Sequence, residues 1–185
     1  MFSLYKIWPK LLSIETCEEI IECGKKIDMS KSTVSRDGNY DPKHRQSNIC
    51  FIPKDNEDFT TVYKYVEKLI HDANSECFGV NLVRMQNLQF SEYHSDNEGH
   101  FDYHMDTFFD RNSLYQRKLT LCLQLSDAKS YEGGNFEFSN LDIGNDFKEQ
   151  GSVLVFPSFL FHRVTPVTKG IRYSIVAWYE GLKWQ

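Results

Sequence analysis

No run of 18 apolar residues occurs in this 185-residue chain, so nothing in it reads as a membrane-crossing helix. Positive charge is also in short supply. The 21 Lys and Arg residues are outnumbered by 26 Asp and Glu, and the net charge of −5 argues against a surface built to neutralise phosphates. Nucleic acid and membrane are therefore not expected partners. Cys-x-x-C pairs are absent, and the five cysteines (17, 23, 50, 77 and 122) are scattered and odd in number. That usage speaks against a zinc–thiolate site or a disulfide framework. It reads as reduced thiols of a cytoplasmic protein, packed as small hydrophobes. The opening stretch MFSLYKIWPKLLS is interrupted by Lys6 and Lys10 and has no small-residue cleavage site, so no signal peptide is expected. Repeats and low-complexity tracts are missing as well.

What the chain does have is aromatic side chains, 15% of residues with 14 Phe and 10 Tyr, a composition that leans towards β-rich packing. The length suits one domain, 1–185, with a substantial core. Residues 13–25 (SIETCEEIIECGK) read as a helix, with Thr16 and Glu19 as a capping box and Ile14, Cys17, Ile20 and Ile21 on one face. Residues 30–48 are polar and turn-rich and read as a long loop. A second helix is expected over 58–77, with Phe59, Val62, Val66, Leu69, Ile70 and Ala73 as its apolar stripe.

The period then changes to two. In RKLTLCLQL (117–125), Leu119, Leu121, Leu123 and Leu125 share one face, and Thr120, Cys122 and Gln124 the other. NFEF, SVLVF and RYSIVAWY are further strands, separated by turn signals such as Gly133-Gly134. Helices followed by strands predict an α+β, mainly β fold: residues 1–80 as helical support and a substrate-side loop, 81–182 as a sandwich or barrel core. The Leu face should pack on the helices, which turns the Thr/Cys/Gln face inward. A polar inner face is costly without partners and suggests a ligand-holding interior.

The stretch YHSDNEGHFDYHMD (93–106) holds His-x-Asp three times: His94/Asp96, His100/Asp102 and His104/Asp106. On a strand this spacing delivers an imidazole and a carboxylate to one point. With a second His from elsewhere it makes the 2-His-1-carboxylate triad that leaves positions open on Fe(II). His94 and Asp96 lie among turn-formers and read as a solvated turn. Strand parity leaves the other two pairs undistinguished, because 100, 102, 104 and 106 would face the same way. Of the six histidines, His162 in VLVFPSFLFHRV is the one in the β-rich C-terminal half, and so the candidate for the other imidazole. Arg172 shares a strand face with Ser174, Val176 and Trp178. A cation there needs an anionic partner, either an internal carboxylate or that of a ligand.

Taken in order, Tyr-x10-His-x-Asp from Tyr93, the YEGGNFEF strand, FPSFLFHRV and KGIRYSIVAW resemble the Fe(II)/2-oxoglutarate-dependent dioxygenases, and more narrowly the prolyl 4-hydroxylase-like, PKHD-type branch. The resemblance covers roughly 83–180, and RQSNICFI (45–52) is similar to a substrate-side strand of such enzymes. It implies a double-stranded β-helix (jelly-roll) core and selects His104, Asp106 and His162 as ligands of Fe(II). It further implies that Arg172 pairs with the distal carboxylate of 2-oxoglutarate, that Tyr93, Gln124 and Ser174 hydrogen-bond the same molecule, and that Phe136, Val164 and Trp178 wall the pocket. Arg45 and Trp178 would face the substrate. The implied reaction is hydroxylation of a C–H bond with O2 as co-substrate and ascorbate as a stimulant. The implied substrate is proline in a peptide or protein, with a free amino acid or other small molecule as the alternative.

Departures from family patterns refine this expectation. Arg172 stands where many prolyl hydroxylases carry Lys, and Arg is usual in the PKHD-like branch. Phe101 stands where Tyr is common. The second Arg of nucleic-acid demethylases is replaced by Trp178, and Asp106 is the carboxylate that related halogenases lack. Two other classes fit the residues less fully: a cupin-like enzyme using no 2-oxoglutarate, and a non-catalytic jelly-roll binding module.

Overall fold

The computed structural model describes residues 4–31, 41–108 and 112–183. In chain order the strands are β1 (Lys6–Trp8), β2 (Ser30–Lys31), β3 (Arg45–Gln46), β4 (Asn48–Ile52), β5 (Arg84–Met85), β6 (Leu88–His94), β7 (His100–His104), β8 (Tyr115–Gln124), β9 (Glu132–Gly133), β10 (Phe136–Phe138), β11 (Val153–Pro157), β12 (His162–Val164), β13 (Val167–Lys169) and β14 (Ile171–Leu182). The helices are α1 (Ile14–Lys25) and α2 (Thr60–Ala73), the latter running into a π-helical turn at Asn74–Phe78. The large sheet has the order β1-β11-β8-β14-β6-β4-β2, with β5 also on β14, and the smaller sheet is β10-β12-β7-β3. All pairings are antiparallel, as a jelly roll requires.

The alternation of β8 decides how the layers stack. Its Leu119, Leu121, Leu123 and Leu125 form one cluster with Cys17, Ile20 and Ile21 of α1 and Val66, Leu69, Ile70 and Ala73 of α2. The helices therefore cover the outer face of the large sheet. Its inner face, with Thr120, Cys122 and Gln124, turns towards the smaller sheet. A second apolar cluster fills one end of that space, with Phe138, Leu154 and Phe156 at its centre. The other end is left to polar groups.

Three local readings change. Ser13, not Thr16, caps α1, and its hydroxyl accepts from the Thr16 N–H. The helix thus begins nearly a turn before the expected capping box, and Ile14 ends up 57% exposed. The 30–48 stretch is not wholly loop, since β2 and β3 lie within it; positions 32–40 of that expectation fall outside the described residues. β1, β2 and β4 extend the large sheet, so the first 80 residues contribute strands as well as helices.

Candidate active site

His104, Asp106 and His162 come together with their ligand atoms all within 4.8 Å of one another. His104 closes β7 and is paired in register with His162 at the start of β12. Asp106 lies beyond the strand. Its backbone N–H, and that of Thr107, donate to the Ser158 carbonyl, which draws the carboxylate between the two rings. Asp106 Oδ1 is 3.7 Å from His104 Nε2, and Oδ2 is 3.6 Å from His162 Nε2.

Parity fails for a specific reason. The register between β7 and β12 shifts, with His104 opposite His162 but Phe101 opposite Val164, so Asp102 and Tyr103 together face Arg163 alone. The bulge brings Phe101 and His104 to the same cavity and leaves Asp102 exposed, its Oδ1 bound to the Tyr103 N–H. His100 is bound to the carbonyls of Glu98 and Lys43, and His94 pairs with Glu92. Neither His-x-Asp pair outside the cluster reaches it.

The donor set fits a divalent metal. Each imidazole uses Nδ1–H on a backbone carbonyl, His104 on Asp102 (2.8 Å) and His162 on Leu160 (2.9 Å), which aims both Nε2 lone pairs at the carboxylate. Burial, reinforced by the facing His162, lowers the His104 imidazole to about 3, so the ring is neutral, the form a metal needs. Burial opposes the charge on Asp106, but His162, His104 and Arg117 together with the Trp178 indole hold it below its ordinary value. Thr120 Oγ1 donates to Asp106 Oδ2 at 2.8 Å and lies 2.9 Å from Ser158 Oγ. Thr120 thereby links the Ser158 hydroxyl to one oxygen of the carboxylate.

The cluster opens into a cavity of about 430 Å³ between the sheets. Tyr93, Arg172, Ser174 and Trp178 line it from the large sheet, Phe136 and Val164 from the smaller one, and Arg45 from β3. Tyr93 and Arg172 are register partners on β6 and β14, as are Gln124 and Ser174 on β8 and β14. Arg172 is 3% exposed and forms no ion pair with an Asp or Glu among the described residues. Gln124 stands slightly apart. Its amide donates to Tyr131 Oη and the Ser126 carbonyl, and it lines a neighbouring cavity of about 510 Å³ that also reaches Arg172.

Some functional neighbours carried little sequence signal. Tyr131 follows β8 in a loop and bonds both Gln124 and Arg172. Arg117 stacks 3.7 Å over Trp178 and donates to Gln86 Oε1. The indole of Trp178 is buried beside Asp106, but its N–H makes no well-aligned hydrogen bond among the described residues. Thr120 was visible as an inward-facing polar residue, but its partner Ser158 lies in a loop whose course no local pattern reveals.

A jelly-roll barrel that brings two imidazoles and a buried carboxylate together beside a cavity defines a mononuclear non-haem metal site. Residues 88–180, half of the chain, match the sequence model of the 2OG-Fe(II) oxygenase superfamily, and the chain belongs to that superfamily. Fe(II) and 2-oxoglutarate are the metal and co-substrate that this membership and the His-Asp-His cluster indicate.

Among similar sequences, a PKHD-type hydroxylase of Synechococcus sp. (strain CC9311) is 37% identical over 87 residues, 46% of this chain and 39% of the relative. A PKHD-type hydroxylase of Gloeothece citriformis (strain PCC 7424) is 33% identical over 100 residues, 54% of this chain and 44% of the relative. The chain thus spans less than half the length of these relatives. Among solved structures, the viral collagen prolyl hydroxylase of Paramecium Bursaria Chlorella virus-1, in its 2OG complex, superposes with a TM-score of 0.73 at 18% identity over 97% of each chain. A Pseudomonas putida prolyl-4-hydroxylase gives 0.73 at 15%, covering 95% of this chain and 91% of that one. At such identities the shared property is the fold. Among the described residues, no helix is long and apolar enough to cross a membrane.

Proposed function

We propose that this chain is a single-domain Fe(II)/2-oxoglutarate dioxygenase that hydroxylates a C–H bond, with proline in a peptide or protein as the substrate. The observation that carries the reading is a buried Arg172, with no ion-paired Asp or Glu among the described residues, in the same cavity as the His-Asp-His cluster. A cupin-like site without 2-oxoglutarate has no use for that guanidinium, and a binding module has no use for the cluster. The relatives' PKHD-type names and the prolyl hydroxylase fold support proline as the target. Five free cysteines support a reducing, cytoplasmic compartment.

Bound to His104, Asp106 and His162, Fe(II) with 2-oxoglutarate and O2 supplies the oxidising power that inserts one oxygen atom into the substrate, leaving succinate and CO2. The chain's own task is placement. The two Nδ1–carbonyl bonds fix both rings, and Thr120 fixes the carboxylate that would hold the metal with them. Arg172 takes the distal carboxylate of 2-oxoglutarate through its planar fork, oriented by Tyr131 from behind. Tyr93 and Ser174 hydrogen-bond the same molecule, and Gln124 closes its end of the site. Phe136, Val164 and Trp178 keep water from the reacting centre. Arg45 and Trp178 meet the substrate at the mouth.

The test is turnover. Purified protein with Fe(II), 2-oxoglutarate and ascorbate should release succinate and add one oxygen to a proline-containing peptide, in amounts matched one to one. Succinate formed with free proline but not with peptides would select the small-molecule alternative. No succinate with any acceptor, and none in its absence, would reject the dioxygenase.

A further inference from the structure

The cavity around the triad is lined by three guanidinium groups, Arg45, Arg117 and Arg172, and by one carboxylate, Asp106. Asp106 belongs to the metal cluster. Arg117 donates to Gln86 Oε1 at 2.9 Å and to the Asp106 carbonyl at 3.4 Å. Arg172 is taken by the co-substrate in the function proposed above. Arg45 is different. It is 7% exposed, its Nε donates to Ser47 Oγ at 3.0 Å, and it also feels the Tyr93 hydroxyl and, through space, the Asp106 carboxylate. No described Asp or Glu forms an ion pair with it. Keeping a guanidinium out of water is expensive when the nearest described acid, Asp106, belongs to the metal cluster, and a ligand anion would offset that cost.

Its position narrows what that ligand is. Arg45 is the register partner of Phe101, and its guanidinium lies 4.3 Å over the Phe101 ring. The Phe101 ring is in turn 3.4 Å from that of His104 and within 13° of parallel to it. The cation is therefore no farther from the His104 imidazole than those two distances laid end to end. Tyr93 separates it from Arg172. The Tyr93 hydroxyl lies towards Arg45, while its ring faces Arg172 at 5.5 Å, so the two guanidinia offer separate seats. A single uncommitted guanidinium matches one carboxylate in a two-point fork; a phosphate dianion would call for more positive charge than is free. Ile49, Phe51 and Phe108 give the remaining wall an apolar character suited to an aliphatic body.

We infer that the substrate carries a carboxylate that docks on Arg45, a few bonds from the C–H group presented to the metal. Two sources share this chemistry: the α-carboxylate of an amino acid or of a peptide's C-terminal residue, and an acidic side chain beside the hydroxylated residue within a peptide. This deepens the proposed function and rests on it.

The test uses the full chain loaded anaerobically with Fe(II), titrated first with 2-oxoglutarate and then with three matched probe pairs, all followed by calorimetry. The pairs are L-proline and L-prolinamide, acetyl-Gly-Pro as acid and as amide, and a blocked peptide containing Glu-Pro or Gln-Pro. The acid member of one pair should bind at least roughly tenfold more tightly than its neutral partner, the worth of a charge-assisted fork, and the pair that responds identifies the source. Arg45→Gln should erase that preference and leave 2-oxoglutarate affinity unchanged. Arg45→Lys, which keeps the charge and loses the fork, should retain part of the preference and stands in if the Gln variant does not fold. The inference is overturned if acid and neutral partners bind alike, if none of them binds, or if the preference survives Arg45→Gln. It also fails if Arg45→Gln weakens 2-oxoglutarate binding instead, since Arg45 would then serve the co-substrate. Failure of the parent reading appears separately, as wild-type protein that does not bind 2-oxoglutarate before any probe is added.

Discussion

Replacing Thr120 with Val should weaken the metal site without loosening the fold. Thr120 is fully buried, and its Oγ1 donates at 2.8 Å to Oδ2 of Asp106, the oxygen that faces His162. Val keeps the branched shape, so no cavity opens and the neighbouring strands need not move. What disappears is a hydrogen bond to a charged acceptor, worth about 1.5–3 kcal/mol, and with it the constraint on the carboxylate's rotation. Loss of an outer partner of a metal ligand typically lowers affinity about 10–100-fold, which is about 1.4–2.8 kcal/mol, so two independent estimates agree. The assay is competition for Co(II) between metal-free protein and a chromophoric chelator, run beside Thr120→Ser, which retains the hydroxyl. Thr120→Val should bind roughly 10–100-fold more weakly and Thr120→Ser within about threefold of wild type. Equal affinity in wild type and Thr120→Val would refute the idea that this hydroxyl holds the ligand carboxylate.

The opposite face of the same strand should behave in the opposite way. Leu121→Ala, at a fully buried position between sheet and helices, should cost about 2–5 kcal/mol in denaturant unfolding and leave Co(II) affinity unchanged. Asp106→Ala should abolish stoichiometric metal binding in the same competition assay, and Asp102→Ala, at an exposed position, should leave it intact. Gly134→Ala places a methyl group at φ +57°, 3.0 Å from Arg172 Cδ and 2.9 Å from Val167 Cγ2. It should reduce 2-oxoglutarate affinity roughly tenfold by tilting the guanidinium, with metal affinity preserved, as calorimetry with Mn(II)-loaded protein would read.

How much of this was legible in the sequence depended on how local each signal was. The Leu alternation of β8 revealed both which face meets the helices and which looks inward, because strand periodicity is a property of neighbouring residues. The same rule could not choose between His100/Asp102 and His104/Asp106, because the bulge in β7 breaks parity between Phe101 and His104, and a bulge is set by pairing with a distant strand. The family resemblance made that choice where periodicity could not. Strands of two or three residues, such as β1, β2 and β3, are too short to show a period and owe their existence to partners on the sheet. Tyr131, Ser158 and Arg117 were missed for a related reason: each acts on a residue of another element or from a loop, beyond the reach of a local period. The Ser13 cap was overlooked because Ser13 and Thr16 are both good capping residues, and the Ile14 side chain proved to be outside the apolar face.

The most direct test of the account is an anaerobic titration of Fe(II) and 2-oxoglutarate into metal-free protein. It follows the weak visible absorption that develops when both bind at one site, in wild type, Asp106→Ala, Asp102→Ala and Arg172→Ala. The account predicts a saturable band in wild type and in Asp102→Ala, no band in Asp106→Ala, and a much higher 2-oxoglutarate requirement in Arg172→Ala. A wild-type protein that binds Fe(II) yet develops no band, or a band indifferent to Arg172, would contradict it.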